Sequence, residues 1–98
     1  MIKFKSLIKS HPLVLVDFYA DWCGPCKTMA PELNKLKKEF GDDVKIAKIN
    51  TEKNKLLASQ FNIRSIPTLM LYKDGKLVHQ QAGAVMFPGL KELVNHYK

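Results

Sequence analysis

Apolar residues recur along this chain at two periods, and the switches between those periods mark its elements. Phe4, Leu7 and Ile8 repeat at helical spacing with Lys3, Lys5, Ser6 and Lys9 opposite, which predicts a short amphipathic helix over residues 3 to 10. Ser10-His11-Pro12 stops it, because proline cannot continue a helical ladder. The run Leu13-Val14-Leu15-Val16-Asp17-Phe18-Tyr19 is then almost continuously apolar, the pattern of a central strand covered on both faces, with one carboxylate inside it. After Ala20-Asp21-Trp22, the positions Met29, Leu33, Leu36 and Phe40 follow a helical period while Lys27, Glu32, Lys35, Lys38 and Glu39 face water. Gly41-Asp42-Asp43 ends that helix. Pro31 lies within it, removing one backbone donor and crowding the carbonyl of Lys27, so a kink is expected one turn past Cys26.

Val44 to Asn50 reads as a second strand, and Glu52 to Phe61 as a second major helix with Leu56, Leu57 and Phe61 inward and Thr51 as its cap. Ile66-Pro67-Thr68 leads into a strand from Thr68 to Lys73. Asp74-Gly75 is the strongest hairpin signal in the chain and pairs that strand antiparallel with Lys76 to Gln81. Gly83 breaks the alternation, and Leu90, Leu93, Val94 and Tyr97 mark a final amphipathic helix with Pro88 near its start. The order αβαβαββα calls for an α/β fold, a mixed sheet with helices on both faces. In such sheets ligand chemistry gathers at the carboxyl end of a central strand, where residues 20 to 26 fall.

At 98 residues and 46% hydrophobic content, one domain spanning residues 1–98 is expected, with a core that needs no disulfide or metal staple. No apolar run approaches the roughly 18 residues of a membrane span. The opening Met1-Ile2-Lys3-Phe4-Lys5-Ser6-Leu7-Ile8 has neither the apolar core nor the cleavage site of a secretory leader, so a reducing cytoplasm is the expected compartment and no membrane partner is expected. The net charge of +7 is spread along the chain. Its densest group, Lys35, Lys37 and Lys38, lies on an outer helix face with no interleaved aromatics, which reads as solvated surface; no nucleic acid is expected, and a preference for acidic partner proteins stays open.

The chemistry concentrates in Trp22-Cys23-Gly24-Pro25-Cys26-Lys27, which holds both cysteines and the only tryptophan. Two thiols three positions apart on a first helical turn share a face, their Cβ atoms roughly 5 to 6 Å apart, so a disulfide between them can close and reopen. A loop that small is a poor staple for the unfolded chain. A zinc site would need four ligands, and His11, His79 and His96 stand far from the pair in sequence and at no paired spacing; they read as surface residues, and no metal and no cofactor is expected. Cys23 sits where backbone N–H groups and the helix dipole favour a thiolate, which makes it the expected nucleophile with a pKa below the free value of about 8.5. Cys26, one turn deeper, is expected to be more buried and to act second. Asp17 is the next most informative residue, because a carboxylate inside an apolar run is costly to bury and its pKa should rise.

The strand ending Val16-Asp17-Phe18-Tyr19-Ala20, the Trp-Cys-Gly-Pro-Cys-Lys motif, Pro31 and the later Ile66-Pro67-Thr68 together closely resemble the thioredoxin family over nearly the whole chain. The resemblance implies a protein-disulfide reductase of general scope that acts by dithiol-disulfide exchange, serves cell redox homeostasis as an electron carrier, and is itself reduced by a thioredoxin reductase. It implies that Asp17 takes up the proton of Cys26, that Lys48 stands near that acid and opposes the rise in its pKa, and that Pro67 is cis. Ile66 would then pair its main chain with an extended client segment, while Trp22 and Gly83 complete the docking surface. Gly24-Pro25, with no histidine between the cysteines, favours a reductant, and the family potential of about −270 mV is the expectation. A monomer is expected. Two other readings remain: an interaction subunit using the same face without redox turnover, and a disulfide oxidant or isomerase.

Three departures from the family pattern stand out. Only about a dozen residues precede the central strand, so the usual N-terminal strand is expected to be missing, leaving four strands with Val44 to Asn50 at an edge guarded by Lys45 and Lys48. Tyr19 stands where many relatives have tryptophan. Met86-Phe87 replaces a polar cap before the last helix.

Overall fold

The computed structural model describes residues 3–98; Met1 and Ile2, the start of the stretch read above for a leader, lie outside the described residues. The elements are α1 (Phe4–Lys9), β1 (Leu13–Tyr19), α2 (Gly24–Phe40), a 3-10 turn (Gly41–Asp43), β2 (Lys45–Asn50), α3 (Lys55–Gln60), β3 (Thr68–Lys73), β4 (Lys76–Ala82) and α4 (Phe87–Tyr97). Among the described residues the strands form one four-stranded sheet in the order β2-β1-β3-β4, with β2 at an edge as expected. β1 runs parallel to β2 and antiparallel to β3, and β3 runs antiparallel to β4. Asp74 and Gly75 turn the β3-β4 hairpin with φ of 51° and 81°, the two left-handed residues of a type I′ turn.

Strand alternation sorts the core into two layers. Leu13 and Leu15 of β1, with Leu69 and Leu71 of β3, pack against Met29, Leu33, Leu36 and Phe40 of α2 and Leu90 and Val94 of α4. Val14, Val16 and Phe18 project to the other face and meet Ile8, Ile49, Met70 and Tyr72, with Phe4, Leu7, Leu57 and Phe61 from α1 and α3 closing over them. Asp17 follows Leu13 and Leu15 in the alternation and therefore points under α2, not toward solvent.

The second helix departs from its expected form. It begins at Lys55, not Glu52, and Thr51 does not cap it: the Thr51 hydroxyl and N–H both donate to the Tyr19 carbonyl, at 3.1 and 2.8 Å, prolonging the β1-β2 pairing. The turn before it is built by Asn50, whose Oδ1 accepts from the N–H groups of Glu52 and Lys53. Leu56 is 80% exposed, whereas Leu57 and Phe61 do pack inward. A six-residue helix covers only part of the sheet face, and its apolar stripe is wider than the surface it meets. Pro31 sits on the exposed side of α2, which runs continuously through it.

Glu32, expected to face water, reaches α4 instead. Its Oε1 accepts from the Phe87 N–H at 3.0 Å and its Oε2 pairs with Lys35 at 2.9 Å, so a carboxylate from α2 supplies the cap that Met86 cannot. The Phe87 N–H, with Lys35 beside it, holds the Glu32 carboxyl below its ordinary pKa. His11, expected at the surface, is half-buried: its Nδ1 accepts from the Leu13 N–H and its Nε2 donates to the Asp42 carbonyl, which ties the start of β1 to the turn after α2.

The two leucines of contrasting burial give a direct check. Leu71→Ala, at a fully buried position, is expected to cost about 2 to 5 kcal/mol in urea unfolding. Leu56→Ala should change stability by no more than about 0.5 kcal/mol. Comparable losses for both would mean that α3 docks through Leu56 after all.

Candidate functional site

The site forms where β1 and β2 end together. Tyr19 pairs with Asn50, so the residues that follow, 20 to 26 on one side and 51 to 54 on the other, leave the sheet side by side. Cys23 is the residue that caps α2, and its Sγ accepts from the Cys26 N–H at 3.1 Å. Gly24 and Pro25 form the first turn, with proline where its missing N–H costs the helix nothing. Cys23 and Cys26 are joined in a disulfide, held among Ala20, Tyr19 and Ile66.

Both cysteines are buried, and the expected contrast is absent: Cys23 is 2% exposed and Cys26 6%. In the disulfide form each sulfur shields the other, and the loop before β3 lies across Cys23, with the Ile66 carbonyl oxygen 3.7 Å from its Sγ. The Ile66-Pro67 bond is cis. Gly83 donates its N–H to the Pro67 carbonyl at 2.8 Å, at a φ of 97° open to glycine, and the space where a Cβ would project is empty. Met29 meets the same loop, its sulfur 3.4 Å from the Val85 N–H. Ile66 thus packs against the disulfide, and Gly83 is joined to the same loop through Pro67.

Trp22 is 68% exposed and so does not pack in the core. Its indole N–H donates to Glu52 Oε1 at 3.0 Å. Glu52 carries no motif of its own, and it is found only by following the parallel register to the point where both strands end.

Asp17 is 3% exposed, and its Oδ1 has no hydrogen-bond partner among the described residues. Burial pushes its pKa up from 3.8 to about 6, and the nearby Lys48 ammonium pulls the other way. Lys48 is the register partner of Asp17 on β2, with an exposed side chain. Asp17, Lys48 and Cys26 line one cavity of about 170 Å³, bounded also by Tyr19, Ala20 and Ala30. That volume admits water, and the orphaned oxygen gives a water something to bind. Among the described residues no three His, Cys, Asp or Glu side chains gather as a metal would require.

A redox-active cysteine pair opening the helix after a central parallel strand, beside a cis-proline loop, defines a thiol-disulfide oxidoreductase. Residues 2–96 match the family model described as Thioredoxin. The chain is 48% identical over 81 residues to thioredoxin 1 of Synechococcus elongatus, covering 83% of this chain and 76% of that one. It is 43% identical over 95 residues to the thioredoxin of Haemophilus influenzae, covering 96% and 89%. Among solved structures, the oxidized mitochondrial thioredoxin 3 of Saccharomyces cerevisiae superposes with a TM-score of 0.86 at 35% identity, over 96% of this chain and 87% of that one. The chain belongs to the thioredoxin family, and its activity is disulfide exchange through the Cys23–Cys26 pair.

The Asp17 environment sets a pH dependence of stability. Because the folded-state pKa lies above the unfolded one, the folded protein binds the proton more tightly, and stability falls as pH rises from 3.8 to about 6. The full cost of ionising Asp17, about 2 to 3 kcal/mol, is present only above that window. Asp17→Asn should therefore stabilise the oxidised protein at pH 8, with the gain fading toward pH 4. A gain that is constant from pH 4 to 8 in denaturant titrations would refute the burial argument.

Proposed function

We propose that the chain is a general protein-disulfide reductase in which Cys23 attacks and Cys26 resolves. The reading is carried by one observation: the pair opens α2 beneath the Ile66-Pro67 loop, with Asp17 in a common cavity with Cys26. The Cys23 thiolate attacks one sulfur of a client disulfide, forming a mixed disulfide and releasing the other client sulfur as thiolate. The Cys26 thiol then gives its proton to the Asp17 carboxylate through the cavity and attacks Cys23 Sγ. The Cys23–Cys26 disulfide closes, the client leaves as a dithiol, and two electrons have passed from the pair to the client.

Lys48 keeps Asp17 ionised enough at neutral pH to act as a base. Gly24 and Pro25 set the helix start without adding a charge that would favour the thiolate form and make the pair an oxidant. Trp22, Ile66, Pro67 and Gly83 form the surface on which a client strand lies, with Ile66 pairing main chain to main chain. Disulfide-containing clients and a reductase are the partners that the family implies. The finer reading is that a thioredoxin reductase returns the pair to the dithiol, so that the protein carries electrons between it and its clients. The whole chain works as one domain and as a monomer in a reducing cytoplasm, with no bound cofactor and no nucleic acid. No helix among the described residues is long and apolar enough to cross a membrane.

Reduction of insulin disulfides by dithiothreitol should be accelerated by the protein and lost on Cys23→Ser, while Cys26→Ser should accumulate a stable mixed disulfide with the client. Asp17→Asn is expected to slow resolution of that mixed disulfide by about tenfold or more and the initial attack far less. In the native protein, resolution should also slow as pH falls below about 6, where Asp17 takes up its proton. Equal slowing of both steps in rapid-mixing experiments would remove Asp17 from the proton path.

A further inference from the structure

A depression of about 840 Å³ lies away from the disulfide, between α1 and the start of α3. Its apolar surface comes from Phe4, Leu57 and the exposed Leu56. Its rim carries Lys3, Lys5, Lys53 and Lys55. Glu52 is the one acid among the lining residues, and its carboxylate is engaged by the Trp22 indole. The groove and the redox loop therefore share a wall: what enters one end of the groove lies next to the surface on which a client docks.

A leucine 80% exposed beside four lysines suits neither a solvated helix face nor a self-interface. A second copy would bring the same four lysines against themselves on a chain of net charge +7. We infer that this groove is a second docking site for disulfide clients, one that takes an acidic, apolar-containing segment of the client next to the segment bearing the disulfide. Apolar side chains of the segment seat against Phe4, Leu56 and Leu57, and its carboxylates meet the rim lysines. This rests on the disulfide-reductase reading and extends it to the kind of client preferred, by raising the effective concentration of a client already held at one point.

The test uses synthetic peptides. One is a cysteine-free segment alternating Leu or Phe with Asp or Glu. Two others carry a single internal disulfide joined by about ten linker residues, ~30 Å when extended, to that segment or to a Ser/Gly segment; the protein itself measures 30 × 28 × 18 Å. The cysteine-free segment should bind the whole protein in calorimetry. Binding should weaken about tenfold in Lys53→Ser/Lys55→Ser, as the loss of two exposed ion pairs at the upper end of their range implies. It should weaken severalfold in Leu56→Ser, with little change in the charge-matched Lys38→Ser/Lys76→Ser. In turnover, kcat/KM for the acidic-tailed peptide should exceed that for the Ser/Gly-tailed one several times over, with the ratio falling toward one in the groove variants and in 0.5 M salt.

Absence of binding, or equal weakening in the Lys38/Lys76 variant, would overturn the groove. So would tighter binding of anionic phospholipid vesicles or single-stranded DNA through the same lysines, since the occupant would then be of another class. Reduction of neither disulfide peptide would strike the reductase reading alone, because the cysteine-free segment reports on the groove independently.

Discussion

Everything in this molecule hangs on β1 being buried on both faces and paired on both edges. A strand in that position must be apolar, and it is, save for Asp17, whose carboxylate lies in the interior with one oxygen unpaired. The fold tolerates the cost of ionising it at neutral pH because the helices of both layers lock the strand in place. The same burial raises the pKa of Asp17 into the range where an acid can exchange a proton near neutrality, in a cavity that Cys26 also lines.

The loops around the disulfide are held by a few directed contacts, with Ile66, Val85 and Phe87 packed inward. The Gly83 N–H holds the Pro67 carbonyl, the Val85 N–H meets the Met29 sulfur, and the Phe87 N–H meets the Glu32 carboxylate. Three successive contacts thus moor the segment from β4 to α4, two of them to α2, the helix that carries the cysteines. The segment keeps its shape because it is tied at two points to one rigid element.

Charge is distributed with a similar economy. Lys48 stands beside Asp17 on the open edge strand, where it moderates the buried acid and also opposes edge-to-edge pairing. The lysines of α2 lie on its solvated face, whereas Lys3, Lys5, Lys53 and Lys55 ring an apolar groove. Residues of the same type thus have different surroundings, and the net charge alone does not distinguish them.

What could be read from the chain itself was whatever depends on neighbours in sequence. The apolar run of β1, the Asp-Gly hairpin, the helical spacing from Met29 to Phe40 and the Cys-Gly-Pro-Cys turn all express short-range periodicity and turn chemistry, and all recur in the structure. The placement of Asp17 under α2 also follows from strand alternation once Leu13 and Leu15 are taken as core. What depends on surfaces meeting across the fold was not legible. Leu56 looked inward because the helical period does not say how much sheet a short helix can cover. Thr51 looked like a cap because its alternative partner, the Tyr19 carbonyl, is thirty-two residues away. Glu32 as the cap of α4, Glu52 on the Trp22 indole, the near-equal burial of the two sulfurs and the cavity joining Asp17 to Cys26 exist only where distant segments are packed together. The tertiary structure decided these because hydrogen-bond partners and enclosed volume belong to pairs of surfaces and are carried by no local stretch.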